Sequence, residues 1–243
     1  MVANTAKSVL RAPRLVVAGV LLLALAGCRM TPAPDSGASP GTPLEPVDQV
    51  RTGVTPWPID PQRSTVTIIV RRAGPLARFG HDHVITSAAE HGTVWAGDTP
   101  ATSAFELQLP VERFEVDEAM ARASAGVEFA APVPDDARAG TRRNMLRAEV
   151  LDAASFPVIT LRSLAASGDW SQSVLKVAVQ LRGVTRVHEI PVQVEHHAPG
   201  LVVRGDLRLN QSDYGITPFA VAGGAIQVAD TLEIRFVIAA GPG

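Results

Sequence analysis

Apolar and polar residues alternate with a period of two through most of this chain beyond residue 64, and no other feature restricts its fold as strongly. Val66, Ile68 and Val70 alternate with Thr65, Thr67 and Arg71, and Phe105, Leu107, Leu109 and Val111 with Glu106, Gln108 and Glu112. The same pattern holds for Leu175, Val177, Val179 and Leu181, for Ile190, Val192 and Val194, for Leu207 and Leu209, and for Leu232, Ile234, Phe236 and Ile238. Successive side chains of a strand point to opposite faces, so each stretch has one greasy and one wet side. Strands of that kind build antiparallel sheets with water on one face, not parallel sheets covered on both. Two less regular stretches, 84–95 and 156–164, bring the total to about eight strands. Gly168-Asp169, Gly183-Val184-Thr185 and Ala198-Pro199-Gly200 supply short turns. Between 116 and 152 the alternation lapses. Residues 141–150 read as a short helix, with Thr141 as N-cap and Leu146 and Val150 on one face, while Asp135-Asp136 falls in a Pro-rich loop. Eight half-apolar strands either stack as two sheets or close into a barrel, whose interior is filled by side chains or holds one small ligand. Local pattern does not choose between these outcomes.

The first 56 residues are of another kind. Lys7, Arg11 and Arg14 precede an uncharged apolar run, Leu15 to Leu25, too short for the roughly 20 residues of a spanning helix and suited to the core of a signal peptide. The run ends Leu25-Ala26-Gly27-Cys28, which resembles the lipobox of bacterial lipoproteins; the alternative is an ordinary export signal with an incidental cysteine. On the lipobox reading residues 1–27 are removed, and Cys28, the chain's one cysteine, carries the acyl chains that anchor the protein to the membrane. Arg29 follows it rather than Asp, which by resemblance to the sorting rule of Gram-negative bacteria directs the protein to the outer membrane, on the periplasmic side of the envelope. Residues 28–56, rich in Pro, Gly, Ser and Thr, read as a tether. One domain remains, 57–240. One cysteine allows no internal disulfide, and a net charge of -2 gives no field for nucleic acid.

Four segments of that domain, in order, resemble the YceI-like family, lipocalin-like polyisoprenoid-binding proteins of bacterial envelopes. They are Trp57-Pro58-Ile59-Asp60-Pro61 through Ser64-Thr65-Val66, Phe156-Pro157-Val158-Ile159-Thr160-Leu161-Arg162-Ser163, Leu181-Arg182-Gly183-Val184-Thr185, and Asn210-Gln211-Ser212-Asp213-Tyr214-Gly215-Ile216. Residues 71–83 depart from the family's early strand and loop. The resemblance implies an all-β fold, an eight-stranded antiparallel up-and-down barrel with a short helical insertion, and an interior pocket for an isoprenoid or other apolar lipid. The residues expected to line it are Val66, Ile68, Phe105, Leu107, Leu109, Leu175, Val177, Val179, Ile190, Val192, Leu207, Leu209, Leu232, Ile234 and Phe236, with Tyr214 near the mouth. The lipid is then the ligand, and no other cofactor is expected.

His81-Asp82-His83 is the most conspicuous polar cluster. On an extended strand residues 81 and 83 face one side, where two imidazoles suit a metal, with His91, His196 or His197 as a third ligand. The competing readings are a polar loop and a group that orients a lipid headgroup. Tyr214 either bonds a headgroup or packs beside a turn at Gly215. Arg142, Arg143 and Arg147 read as a solvated helix face and Trp57 and Trp95 as core or barrel-end plugs. The chain has no Gly-x-Ser-x-Gly elbow, no phosphate-binding Gly-x-x-x-x-Gly-Lys loop and no His-Glu-x-x-His helix. The expectation is a binding protein, not an enzyme; a metal-binding protein or metal-dependent envelope enzyme centred on His81 and His83 is the alternative. Oligomeric state is left open.

Overall fold

The computed structural model describes residues 54–242 apart from 90 and 198. The segments read as signal peptide and tether, up to residue 53 and with Cys28 between them, lie outside the described residues. Twelve strands occur among those described: β1 (Pro56–Pro58), β2 (Thr65–Ala73), β3 (His83–Ser87), β4 (His91–Trp95), β5 (Ala104–Pro110), β6 (Glu115–Val116), β7 (Val158–Gly168), β8 (Ser173–Leu181), β9 (Val184–His197), β10 (Gly200–Asn210), β11 (Ala220–Val221) and β12 (Ile226–Ala240). Every pairing is antiparallel. Three of these strands, β1, β6 and β11, are short additions. β3 and β4 are two halves of the one stretch expected at 84–95, parted at Ser87–His91, where Ala89 is buried with φ 50°. The rest are the alternating segments, neighbours in the sheet as in the chain, so the eight principal strands run up and down.

The ring closes at the broken strand. β3 lies between β2 and β6, and β4 between β1 and β5. Ile85 and Thr86 of β3 and Thr93, Val94 and Trp95 of β4 are thus paired on both sides, and closure is what removes the exposed edges of a sheet. The opening motif ties this seam to the last strand. The Ile59 N–H donates to the Gly92 carbonyl (3.1 Å) and the Asp60 N–H to that of Ala239 (2.9 Å). Buried Ser64 accepts from the Ala239 N–H at 3.0 Å. β1 begins at Pro56, inside the stretch read as tether.

Two other motifs meet at one turn. The β8–β9 hairpin turns on Arg182 (φ 50°) and Gly183 (φ 74°), one residue earlier than the expected Gly183-Val184-Thr185. Positive φ at both central residues matches the twist of the flanking strands. The Phe156 ring lies where a Cβ on Gly183 would stand, 2.8 Å from that point. Arg182 donates to the carbonyls of Gly215 and Ala148, both at 2.9 Å, fastening the turn to the fourth motif and to the end of the inserted segment.

The insertion holds two helices, α1 (Ala119–Ala125) and α2 (Asp135–Leu146). The expected helix at 141–150 is therefore displaced. α2 starts six residues earlier, on Pro134, Thr141 lies inside it rather than capping it, and Val150 lies past its end, buried. Asp135 and Asp136, assigned to a loop, form its first turn, where carboxylates meet the positive end of the helix dipole. α1 and the turn after it cover the outside of β2 and β3: Ile69, Val84, Ala125 and Phe129 make a small second core, with the Arg71 guanidinium 4.7 Å from the centre of the Phe129 ring. That explains why the outer face of β2, otherwise polar, carries Ile69.

Gly183→Ala puts a methyl group into the Phe156 ring as well as into left-handed backbone, whereas Gly223, at φ 65°, has nothing within 4 Å. Gly223→Ala should cost about 1 kcal/mol through backbone strain alone. Gly183→Ala should cost clearly more, read as the difference between the two urea midpoints.

Candidate functional site

The inward rows leave a space between them. They enclose a cavity of about 340 Å³, within the usual range for ligand pockets. Strand register shows how its wall is made. Leu209 of β10 lies beside Leu232 of β12, Leu232 beside Val70 of β2, and Val70 beside His83 of β3. This gives one rung across four strands with a single polar member. α2 covers the end where β7 begins, presenting Thr141, Asn144 and Met145, and the β7–β8 turn brings Trp170 to the other end. Asp169 holds that turn by accepting from the N–H groups of Ser171 and Gln172, and the Trp170 indole donates to the Asp98 carbonyl at 3.2 Å. Trp57 packs against the core, one of the two places expected for it, and the tryptophan lining the cavity end is Trp170.

Of the residues read from the sequence as lining, Val66, Ile68, Phe105, Leu107, Leu109, Leu175, Val177, Val179, Ile190, Leu207, Leu209, Leu232, Ile234 and Phe236 face the cavity. Val192 and Tyr214 do not. Val192 has the inward parity of its strand, but opposite it stands Gly205, and Val192 and the Phe236 ring both crowd into the space the missing side chain leaves. Tyr214 is fully buried in a single helical turn, Gln211–Tyr214, ending at left-handed Gly215. Its hydroxyl is 2.8 Å from His188 Nε2. Burial pushes the phenol above its ordinary range, so Tyr214 keeps its proton in this bond.

His81 and His83 do not form a pair on one strand, because β3 begins at His83. Its inward neighbour in parity is Ile85, and His81 is exposed with its ring centre 6.5 Å away. His91 is exposed on β4, and His196 stacks on Trp170 at 4.7 Å. Among the described residues no three metal-ligating side chains gather. His83 instead meets a carboxylate that the sequence reading passed over: Asp117 Oδ2 lies 2.6 Å from its Nδ1. Asp117 sits just past β6 in left-handed backbone (φ 54°), which Asp tolerates better than most residues. Its other oxygen accepts from the Val84 N–H (2.9 Å) and from Arg122 Nη1 (2.7 Å). Burial by itself raises the Asp117 carboxyl, but hydrogen bonds from His83, Val84 and Arg122 outweigh it and hold the group below the usual carboxylate range. Arg122, buried in α1, also donates to the carbonyls of Asp82, Phe129 and Ala131. The one sequence signal for this site was His83 itself; its partners lie 34 and 39 residues on and carry no motif.

A family model for the YceI-like domain matches residues 57–240. The crystal structure of BcnA from Burkholderia cenocepacia is similar at 13% identity with a TM-score of 0.52, over 74% of this chain and 98% of that one. A polyisoprenoid binding domain from Saccharophagus degradans, implicated in plant cell wall breakdown, is similar at 13% identity with a TM-score of 0.51, over 77% of this chain and 98% of that one. At such identities the likeness is one of fold. No curated protein matches the chain.

Burial lowers the proton affinity of His188, with nearby Asp213 opposing in part, from an ordinary value of 6.5. The unfolded ring therefore takes up a proton at a higher pH than the folded one. Stability is full above about pH 6.5 and declines as pH falls below it. Urea unfolding across that range should show this decline, and His188→Gln should remove its contribution.

Proposed function

The chain belongs to the YceI-like family, and we propose that it is an exported envelope lipoprotein that holds an isoprenoid or other apolar lipid inside its barrel, as a carrier or store and without catalysis. The observation that carries this reading is the cavity wall: all eight principal strands contribute to it, and His83 is the one ionisable side chain among the described residues that line it. A long branched hydrocarbon leaving water for such a wall gains about 25 cal/mol for each Å² buried. The polyisoprenoid binding named for the Saccharophagus degradans domain supports the same class of ligand, on a shared fold. The missing nucleophile and phosphate-loop motifs support a role without chemistry. The N-terminal sequence supports export, lipidation at Cys28 and attachment on the periplasmic side, at the outer membrane in a Gram-negative cell, with the stretch read as 28–56, up to the start of β1, as the tether.

Protein purified from its membrane should release a co-purified apolar lipid on organic extraction, identified by mass spectrometry. Leu107→Trp, which fills the cavity from β5, should lower the lipid recovered per protein while leaving the β-sheet circular dichroism unchanged. Equal recovery from both proteins, or none from either, contradicts the reading. Cys28→Ala should move the protein from the membrane fraction to the soluble one and abolish incorporation of labelled fatty acid.

A further inference from the structure

We propose that His83, held by Asp117 and Arg122, receives the polar end of the bound lipid, and that this end carries a hydroxyl group. The inference rests on the carrier reading and names the head which that reading leaves open.

The rung Leu209–Leu232–Val70–His83 places one imidazole in an otherwise aliphatic part of the wall. α2 brings Thr141 and Asn144 to the cavity at the same end, since Arg138 of α2 donates to the Val116 carbonyl and Val116 pairs with Ile85 of β3. The orientation of the ring decides what it can bind. Nδ1 is 2.6 Å from a carboxylate that is held as an anion, and a carboxylate only accepts. The proton of the neutral ring therefore stays on Nδ1, and Nε2 keeps its lone pair. The charge of Asp117 is already balanced by Arg122 at 2.7 Å. Nε2 has no protein partner among the described residues. It therefore calls for a donor on the ligand, and on an isoprenoid chain the simplest donor is a terminal or phenolic hydroxyl. An ether or a plain hydrocarbon has no proton to give. A diphosphate is excluded by charge: no Lys or Arg among the described residues lines the cavity, and an uncompensated anion in an apolar wall loses far more in hydration than one imidazole returns.

The test is a titration of the delipidated full-length protein with geranylgeraniol, its methyl ether and geranylgeranyl diphosphate, followed by tryptophan fluorescence, to which Trp170 at the cavity end contributes. The alcohol should bind about tenfold more tightly than the ether, the scale of one hydrogen bond formed out of water, and the diphosphate most weakly. His83→Leu should bring the alcohol down to the ether's affinity and leave the ether unchanged. His83→Gln, whose side-chain carbonyl also accepts, should restore part of the difference and guards against a folding defect in the leucine variant. Equal binding of alcohol and ether by the unaltered protein overturns the hydroxyl assignment and leaves the carrier reading standing. An alcohol preference that survives in His83→Leu, or a diphosphate that binds most tightly, overturns it as well. Failure of all three probes to bind would sink the carrier reading, and this proposal with it.

Discussion

The hydrogen bonds that join residues 83–95 to both of their neighbours hold this molecule in the shape everything else requires. Without them the principal strands would form an open sheet with two exposed edges, and an open sheet of one-sided strands buries its apolar face by folding onto itself. Because β3 is flanked by β2 and β6 and β4 by β1 and β5, the apolar face curves into a closed wall and its side chains are kept apart. The interior is then hollow for geometric reasons. The rows that line it are mostly Val, Leu and Ile, too short to span the ring.

Closure also explains where the family-like motifs fall. None of the four is made of cavity residues alone. Ile59, Asp60 and Ser64 bind the start of the barrel to its last strand; Phe156 and Gly183 interlock at a hairpin; Arg182 ties that hairpin to Gly215. These are the knots of the ring. The lining can vary among aliphatic residues without loss of the barrel, and that is consistent with a fold shared with proteins only 13% identical.

Most of this barrel could be read from alternation, because period two reports directly which side chains share a face. The inward rows of β2, β5, β8 and β12 were largely legible; on β10 Leu207 and Leu209 were read, but Leu201 and Val203, which also line the cavity, were not. What failed to show depends on contacts distant in sequence. Val192 has the right parity but loses its place to a vacancy at Gly205, a residue of the next strand. Ile69 and Val84 break the alternation because a core 41 to 60 residues on, at Ala125 and Phe129, covers the outer face. α2 was placed late because Pro134 and the two aspartates looked like loop; they are a proline-led, acidic helix start. The histidine cluster was visible, but the partner that determines its chemistry was not. Asp117 is isolated in sequence, and only the left-handed turn after β6 swings its carboxylate onto His83.

The most direct measurement of the central claim, that the closed ring encloses empty apolar space, is a crystal structure of the delipidated protein under xenon pressure. Xenon enters dry apolar cavities and not close-packed cores. The account predicts xenon sites inside the barrel, between Leu107 on β5, Val177 on β8 and Ile234 on β12. Absence of xenon there, with the inward side chains in mutual contact across the barrel, would contradict it.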